Sequence, residues 1–269
     1  VNAGPTPGGG PAGPDAPAPT VDCNADLGEG FGAWCMGDDL ALLDVVTSAN
    51  VACGFHAGDP RIMRRVCEAA AERGVVVGAH VSYRDLQGFG RRDLDVDPAE
   101  LTDEILYQVG ALEAVARAAG TSVRYVKAHG ALYNRCAHDH AQAAAVVRAL
   151  VDHGAGLMLL AAPRSVLLAL AESAGVQCAT EGFVDRAYRA DATLVPRSQP
   201  GAVHSTSEAC VAQALDLALH GTVTALDGTT VHIAPRSLCV HGDTPHALTT
   251  ARAVRAALEA RGVTRRAFA

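Results

Sequence analysis

Val126-Lys127-Ala128-His129-Gly130-Ala131-Leu132-Tyr133-Asn134 passes abruptly from an apolar run to polar, chemistry-bearing side chains. The same switch occurs at Val21-Asp22-Cys23-Asn24-Ala25-Asp26-Leu27-Gly28-Glu29 and at Ala49-Asn50-Val51-Ala52-Cys53-Gly54-Phe55-His56-Ala57-Gly58-Asp59. It returns at Val75-Val76-Val77-Gly78-Ala79-His80 and at Leu238-Cys239-Val240-His241-Gly242-Asp243. Short buried strands that each end in His, Asp, Asn or Glu, with helices between them, describe an α/β enzyme whose chemistry lies on the C-terminal face of its sheet.

Working outward, strands are expected at 21–24, 48–52, 75–79, 124–127, 157–160, 177–180 and 237–240, and helices lie between them. Asp59-Pro60 and Asp97-Pro98 read as an N-cap followed by proline at the first helical position. Helices are predicted over 60–73, 98–119, 140–151, 163–174, 207–219 and 245–261, several ending at glycine. Strict alternation implies parallel strands joined by right-handed crossovers. Residues 221–233 break the rhythm with a period of two about Asp227-Gly228, a β-hairpin signal just before the last strand. The fold class is therefore α/β, a seven-stranded parallel β/α barrel with a small hairpin insertion; an open doubly wound sheet is the alternative.

Residues 1–20, mostly Gly, Pro and Ala, bury too little apolar surface to offset their ordering entropy and read as a flexible tail. Residues 21–269 read as a single catalytic domain. Hydrophobic residues make up 49% of the chain, enough for a sizeable core, and the net charge of −7 comes with no basic stripe for nucleic acid. The eight cysteines form no C-x-x-C pair, which points to a reducing cytoplasm rather than a disulfide or zinc framework. No secretory signal or membrane-spanning run is legible. The P-loop, a strand-linked G-x-G-x-x-G, G-x-S-x-G and H-E-x-x-H are all missing, so any nucleotide binds by other means.

Candidate site residues follow the strand ends. Asn24, Asp26 and Glu29 suit cation binding or acid-base work. Of Asn50, Cys53, His56 and Asp59, His56 is the functional candidate; Cys53 is read as packing and Asp59 as the helix cap. His80 precedes Gly88-Phe89-Gly90-Arg91-Arg92, where Arg91 and Arg92 suit an anion. Lys127 and His129 share one face of their strand, and a core-facing lysine is costly without a partner. Tyr133 and Asn134 follow one turn later. Glu181, Asp185 and Arg186 follow the sixth strand, Arg197 sits further on, and His241 and Asp243 follow the seventh. The remaining histidines read as surface or capping residues.

These motifs, with Glu181-Gly182-Phe183-Val184-Asp185-Arg186-Ala187-Tyr188, resemble the LamB/YcsF family from Val21 to about Val263. The resemblance implies the glycoside hydrolase/deacetylase-like barrel and ATP-dependent opening of 5-oxo-L-proline (pyroglutamate) to L-glutamate. It implies that the chain is one component of a 5-oxoprolinase, working beside partner subunits B and C; a homo-oligomer is left open. ATP is the implied cofactor, with Mg²⁺ or another divalent metal, for which Asp26, His80 and His129 are candidate ligands. In that reading Asp26 and Glu29 position water or the metal, and His80, His129 and His241 share proton transfer. Lys127, Arg91 and Arg92 offset phosphate or carboxylate charge, and Asp185 and Arg186 orient their neighbours. The sequence departs from the family pattern at Cys23, usually Leu, and at Val81 and Ala128, usually Pro. Two other readings stay open: a metal-dependent deacetylase or sugar hydrolase, and a non-catalytic subunit that presents substrate.

Overall fold

The computed structural model describes residues 18–242 and 246–269. Most of the expected tail, residues 1–17, and the candidate Asp243 lie outside the described residues.

Strands β1 (Thr20–Leu27), β2 (Ser48–Ala52), β3 (Val76–Val81), β4 (Val123–Ala128), β5 (Met158–Ala161) and β6 (Cys178–Phe183) run in parallel order. A hairpin of β7 (Thr222–Thr224) and β8 (Thr230–His232) then precedes β9 (Ser237–Val240). β9 pairs with β6 through Glu181↔Ser237 and with β1 through Asn24↔Cys239. That double pairing closes the seven strands into a barrel and excludes the open sheet. A short β10 (Thr264–Arg265) adds to the start of β1.

The surrounding helices are α1 (Asp39–Leu43), α2 (Pro60–Arg73), α3 (Pro98–Ala118), α4 (Gly130–Cys136), α5 (His140–His153), α6 (Val166–Ser173), α7 (Ser207–His220) and α8 (Ala247–Ala260). Asp59 caps α2 by accepting from Arg61 N and Ile62 N, and Gly74 ends it in the left-handed conformation. The buried face of α2, Met63, Val66, Cys67 and Ala70, has the helical three-four spacing that seats it on the barrel. α6 starts three residues later than expected because Arg164 has φ 60° and Ser165 takes the cap. α1, α4 and β10 were not expected from the sequence; each is too short to show a period of its own.

Several strands run further than expected, which changes where the chemistry sits. Asp26, His80 and Glu181 lie on β1, β3 and β6 themselves, not in the loops after them. Their side chains alternate inward, so the barrel interior is polar in its upper half. The lower half is plugged by Tyr125, Leu160 and Ala179, against which Phe268 packs. The Tyr125 ring takes the space opposite Gly78, where a Cβ would lie 2.2 Å from Tyr125 Cζ. Among the described residues no helix is long and apolar enough to cross a membrane.

Candidate active site

Above the plug, hydrogen bonds stack upward through the barrel. Tyr125 Oη donates to Asn50 Oδ1 at 2.6 Å. Asn50 Nδ2 donates to Asn24 Oδ1 at 2.7 Å and to Asp26 Oδ1 at 2.8 Å. Lys127 Nζ reaches Asp26 Oδ1 at 3.0 Å and Glu181 Oε1 at 2.8 Å, all three residues being buried. Burial alone would lower the Lys127 pKa; Asp26, then Cys239 and Glu181, outweigh it and hold the ammonium charged well above its ordinary range. Burial would likewise raise the Asp26 carboxyl, but His80 and Lys127 hold it well below the usual carboxylate value. Glu181 meets the ammonium by charge, yet neither of its oxygens has a well-directed hydrogen-bond partner. The two meet as an ion pair, which tolerates poor angles.

Beside this trio, Glu29, His56, His80 and His129 converge from four different strand ends, all buried. Glu29 Oε1 lies 3.3 Å from His56 Nε2, 3.4 Å from His129 Nδ1 and 3.9 Å from His80 Nε2. His129 Nδ1 is 3.0 Å from His80 Nε2, and the rings of His56 and His129 stack at 3.8 Å. His129 Nε2 donates to Phe89 O at 2.9 Å, which leaves Nδ1 of the neutral ring unprotonated and facing the cluster. Phe89 holds φ 55°, a strained conformation for a non-glycine residue, and presents that carbonyl. Gly90 next to it cannot carry a side chain: a Cβ would lie 2.4 Å from Ser82 Oγ and 2.8 Å from His129 Cδ2. A buried glutamate with three histidines is a donor set that can hold a metal ion. Of the expected set Asp26, His80 and His129, the two histidines belong to this group with Glu29 and His56, and Asp26 Oδ2 lies beside it, 3.4 Å from His80 Nε2.

His56 and His129 are both lowered well below their ordinary pKa by burial and by neighbouring histidine charge. Folded, they are neutral where the unfolded chain still takes up protons near pH 6.5. The unfolded state then binds more protons, so stability falls as pH drops through that value. Between pH 7.5 and 5.5 the pair is expected to lower the unfolding free energy. Urea midpoints with chelator present measure this; equal midpoints at the two pH values contradict neutral imidazoles.

A cavity of about 740 Å³ opens over both groups. Asp26, Lys127, Glu181, His80, His129 and His241 reach its wall. His241 Nδ1 donates to Asp185 Oδ1 and Oδ2 at 2.9 and 2.8 Å, and its ring stacks on Phe183. Burial would raise the Asp185 carboxyl, but His241 outweighs it and keeps the group ionised. The result is an imidazole fixed by a carboxylate through Nδ1.

The remaining candidates divide. Arg91, Tyr133, Asn134, Arg186 and Arg197 line the cavity. Arg186 does so with its guanidinium engaged, donating to Val195 O at 2.7 Å and Ala202 O at 3.2 Å; burial, then Arg197, lowers its pKa to about 10. It pins loop 184–203, which the hairpin also supports through Leu226 N to Tyr188 O at 2.8 Å. Asn24 and Asn50 are not on the cavity wall; they are bonded to each other and scaffold Asp26 and Lys127. Arg92 also lies off the wall, its Nε donating at 2.8 Å to Asp85, which closes the loop by accepting from Gly88 N. Val81 and Ala128, the two departures beside His80 and His129, are ladder partners, and His129 N donates to Val81 O at 2.8 Å. Strand pairing there supplies backbone restraint without proline. Arg164 and Arg189 at the mouth were missed. The first stands in Ala161-Ala162-Pro163-Arg164-Ser165, the same apolar-to-polar switch that marks the other strand ends.

The LamB/YcsF family profile matches residues 21–269. The chain belongs to the LamB/YcsF family. The LamB/YcsF chain is 59% identical over 249 residues to the 5-oxoprolinase A subunit of Streptomyces coelicolor, covering 93% of this chain and 100% of that one. It is 56% identical to the 5-oxoprolinase A subunit of Kocuria rhizophila, covering 93% and 99%. The crystal structure of the lactam utilization protein from Thermus thermophilus superposes at TM-score 0.88 with 42% identity, covering 93% of the LamB/YcsF chain and 100% of that chain. A solved structure from Enterococcus faecalis, 12% identical at TM-score 0.55, covers 93% and 97% and shares the fold alone.

Proposed function

We propose that this chain is the ring-opening component of a 5-oxoprolinase, acting with B and C subunits to convert 5-oxo-L-proline and water to L-glutamate at the expense of ATP. The observation that carries the reading is 59% identity, over nearly the whole chain, to a protein named as the A subunit of 5-oxoprolinase. The cavity chemistry supports it. An unstrained lactam needs activation, which ATP supplies by phosphorylating the amide oxygen; water then attacks the ring carbon, the C–N bond breaks to leave an acyl phosphate, and a second water hydrolyses that to glutamate and phosphate. Lys127 offsets negative charge developing on that oxygen. Glu181 and Asp26, both on the wall, orient the water and accept its proton. His241, held by Asp185, returns a proton to the ring nitrogen as the C–N bond breaks. Arg91 and Arg197 take the substrate carboxylate or the phosphate. The described cysteines are all unpaired, which supports a reducing compartment, the cytoplasm.

The test is coupled release of glutamate and ADP from 5-oxoproline and ATP, with this chain alone and with B and C subunits added. Glutamate formed only in the full mixture is expected. A second reading is the metal-dependent deacetylase or sugar hydrolase, which requires an open position on an ion held by the histidine cluster. Turnover abolished by chelation with no ATP requirement selects it instead.

A further inference from the structure

We propose that Glu29, His56, His80 and His129 form a closed, four-coordinate site for a borderline divalent cation such as Zn²⁺. Ligands at roughly 2.0–2.1 Å from a tetrahedral ion stand about 3.3 Å from one another. Four of the six donor-atom separations approach that spacing, at 3.0, 3.3, 3.4 and 3.9 Å, and all six lie within 4.8 Å. Ordinary packing does not bring three imidazole nitrogens and a carboxylate oxygen, all buried, within 4.8 Å of one another.

The surroundings hold the donors in place. His129 is oriented through its far nitrogen by Phe89 O, an outer-shell bond of the kind that fixes the tautomer of a ligating histidine. His80 sits on β3 and is therefore fixed by the barrel itself. Glu29 and His56 follow β1 and β2, so one ion would tie four consecutive strand ends together.

Donor chemistry selects the ion. Three imidazoles and one carboxylate suit Zn²⁺ or its neighbours, whereas Mg²⁺ prefers oxygen ligands and keeps several waters. The Mg²⁺ that accompanies a nucleotide thus belongs elsewhere. Coordination geometry follows from position: His80 and His129 reach the cavity wall, but Glu29 and His56 lie behind them. All four positions are filled by protein, which is the pattern of a resident, structure-holding ion rather than of an open metal-water centre.

Metal binding by the chain alone tests this, without 5-oxoproline or ATP, so its failure is separate from failure of the 5-oxoprolinase reading. Protein stripped with chelator is dialysed against Zn²⁺ and its metal content measured; one equivalent is expected. Replacement with Co²⁺ is expected to give the intense visible bands of a tetrahedral ion. Glu29→Gln and His56→Ala, each checked for retained circular dichroism, are expected to weaken Zn²⁺ binding more than the roughly 100-fold that outer-shell changes cause. Asp26→Asn is expected to leave the stoichiometry at one. Substoichiometric uptake, a weak octahedral Co²⁺ spectrum, or wild-type affinity in folded Glu29 and His56 variants overturns the site. If those variants do not fold, the wild-type Co²⁺ spectrum alone decides.

Discussion

Lys127→Met is expected to destabilise the chain by roughly 3–5 kcal/mol and to abolish turnover in the reconstituted complex. The size of the effect follows from what remains behind. Asp26 and Glu181 lie 3.0 and 2.8 Å from the ammonium, and all three side chains are almost wholly buried. Without the cation, two almost wholly buried carboxylates are left to repel each other. Adding Asp26→Asn and Glu181→Gln to Lys127→Met removes both charges and is expected to restore most of the stability but none of the activity. Urea denaturation of the single and combined variants separates the two roles. A Lys127→Met chain within about 1 kcal/mol of wild type contradicts the ion-pair account.

His241→Gln is expected to lower turnover at least roughly 100-fold, the usual contribution of a positioned acid or base, while shifting stability little. Among the described residues His241 is held by Asp185 alone, whereas His80 and His129, also at the cavity wall, share Glu29 and each other, and His80 also meets Asp26. Asp185→Asn is expected to show a smaller loss than His241→Gln, because an amide still accepts from Nδ1 but no longer stabilises a protonated ring. A kcat within about threefold of wild type in the folded variant removes His241 from proton transfer.

Much of this architecture was legible in the sequence because strand ends, caps and turns are local. Ser48–Ala52, Ser237–Val240 and Pro60–Arg73 stand where the apolar runs and the Asp59-Pro60 cap place them. Barrel closure was not decided by any local signal, since it rests on β9 meeting β1 across the length of the chain. The same limit governs the site. His56 and Glu29 were recognisable as strand-end residues, but their convergence with His80 and His129 depends on the register of four strands. Asn24 and Asn50 looked like ligands for a substrate and instead satisfy each other, which depends on which strand face is inward at each level of the barrel. Arg92 looked like an anion clamp beside Arg91, but the loop needs it on Asp85. Phe89 offered no sign in its side chain, because its contribution is a carbonyl in a left-handed turn.

On the proposed function, lactam opening takes place in the cavity of this chain rather than on a partner. The most direct measurement is glutamate formation from 5-oxoproline and ATP by a complex in which this chain alone carries Asp26→Asn. Asp26 keeps its size and its neighbours in that variant and loses only charge. A rate at least roughly 100-fold below the wild-type complex, with the complex still intact by gel filtration, is the expected result. A rate equal to wild type contradicts the account and places the chemistry on a partner.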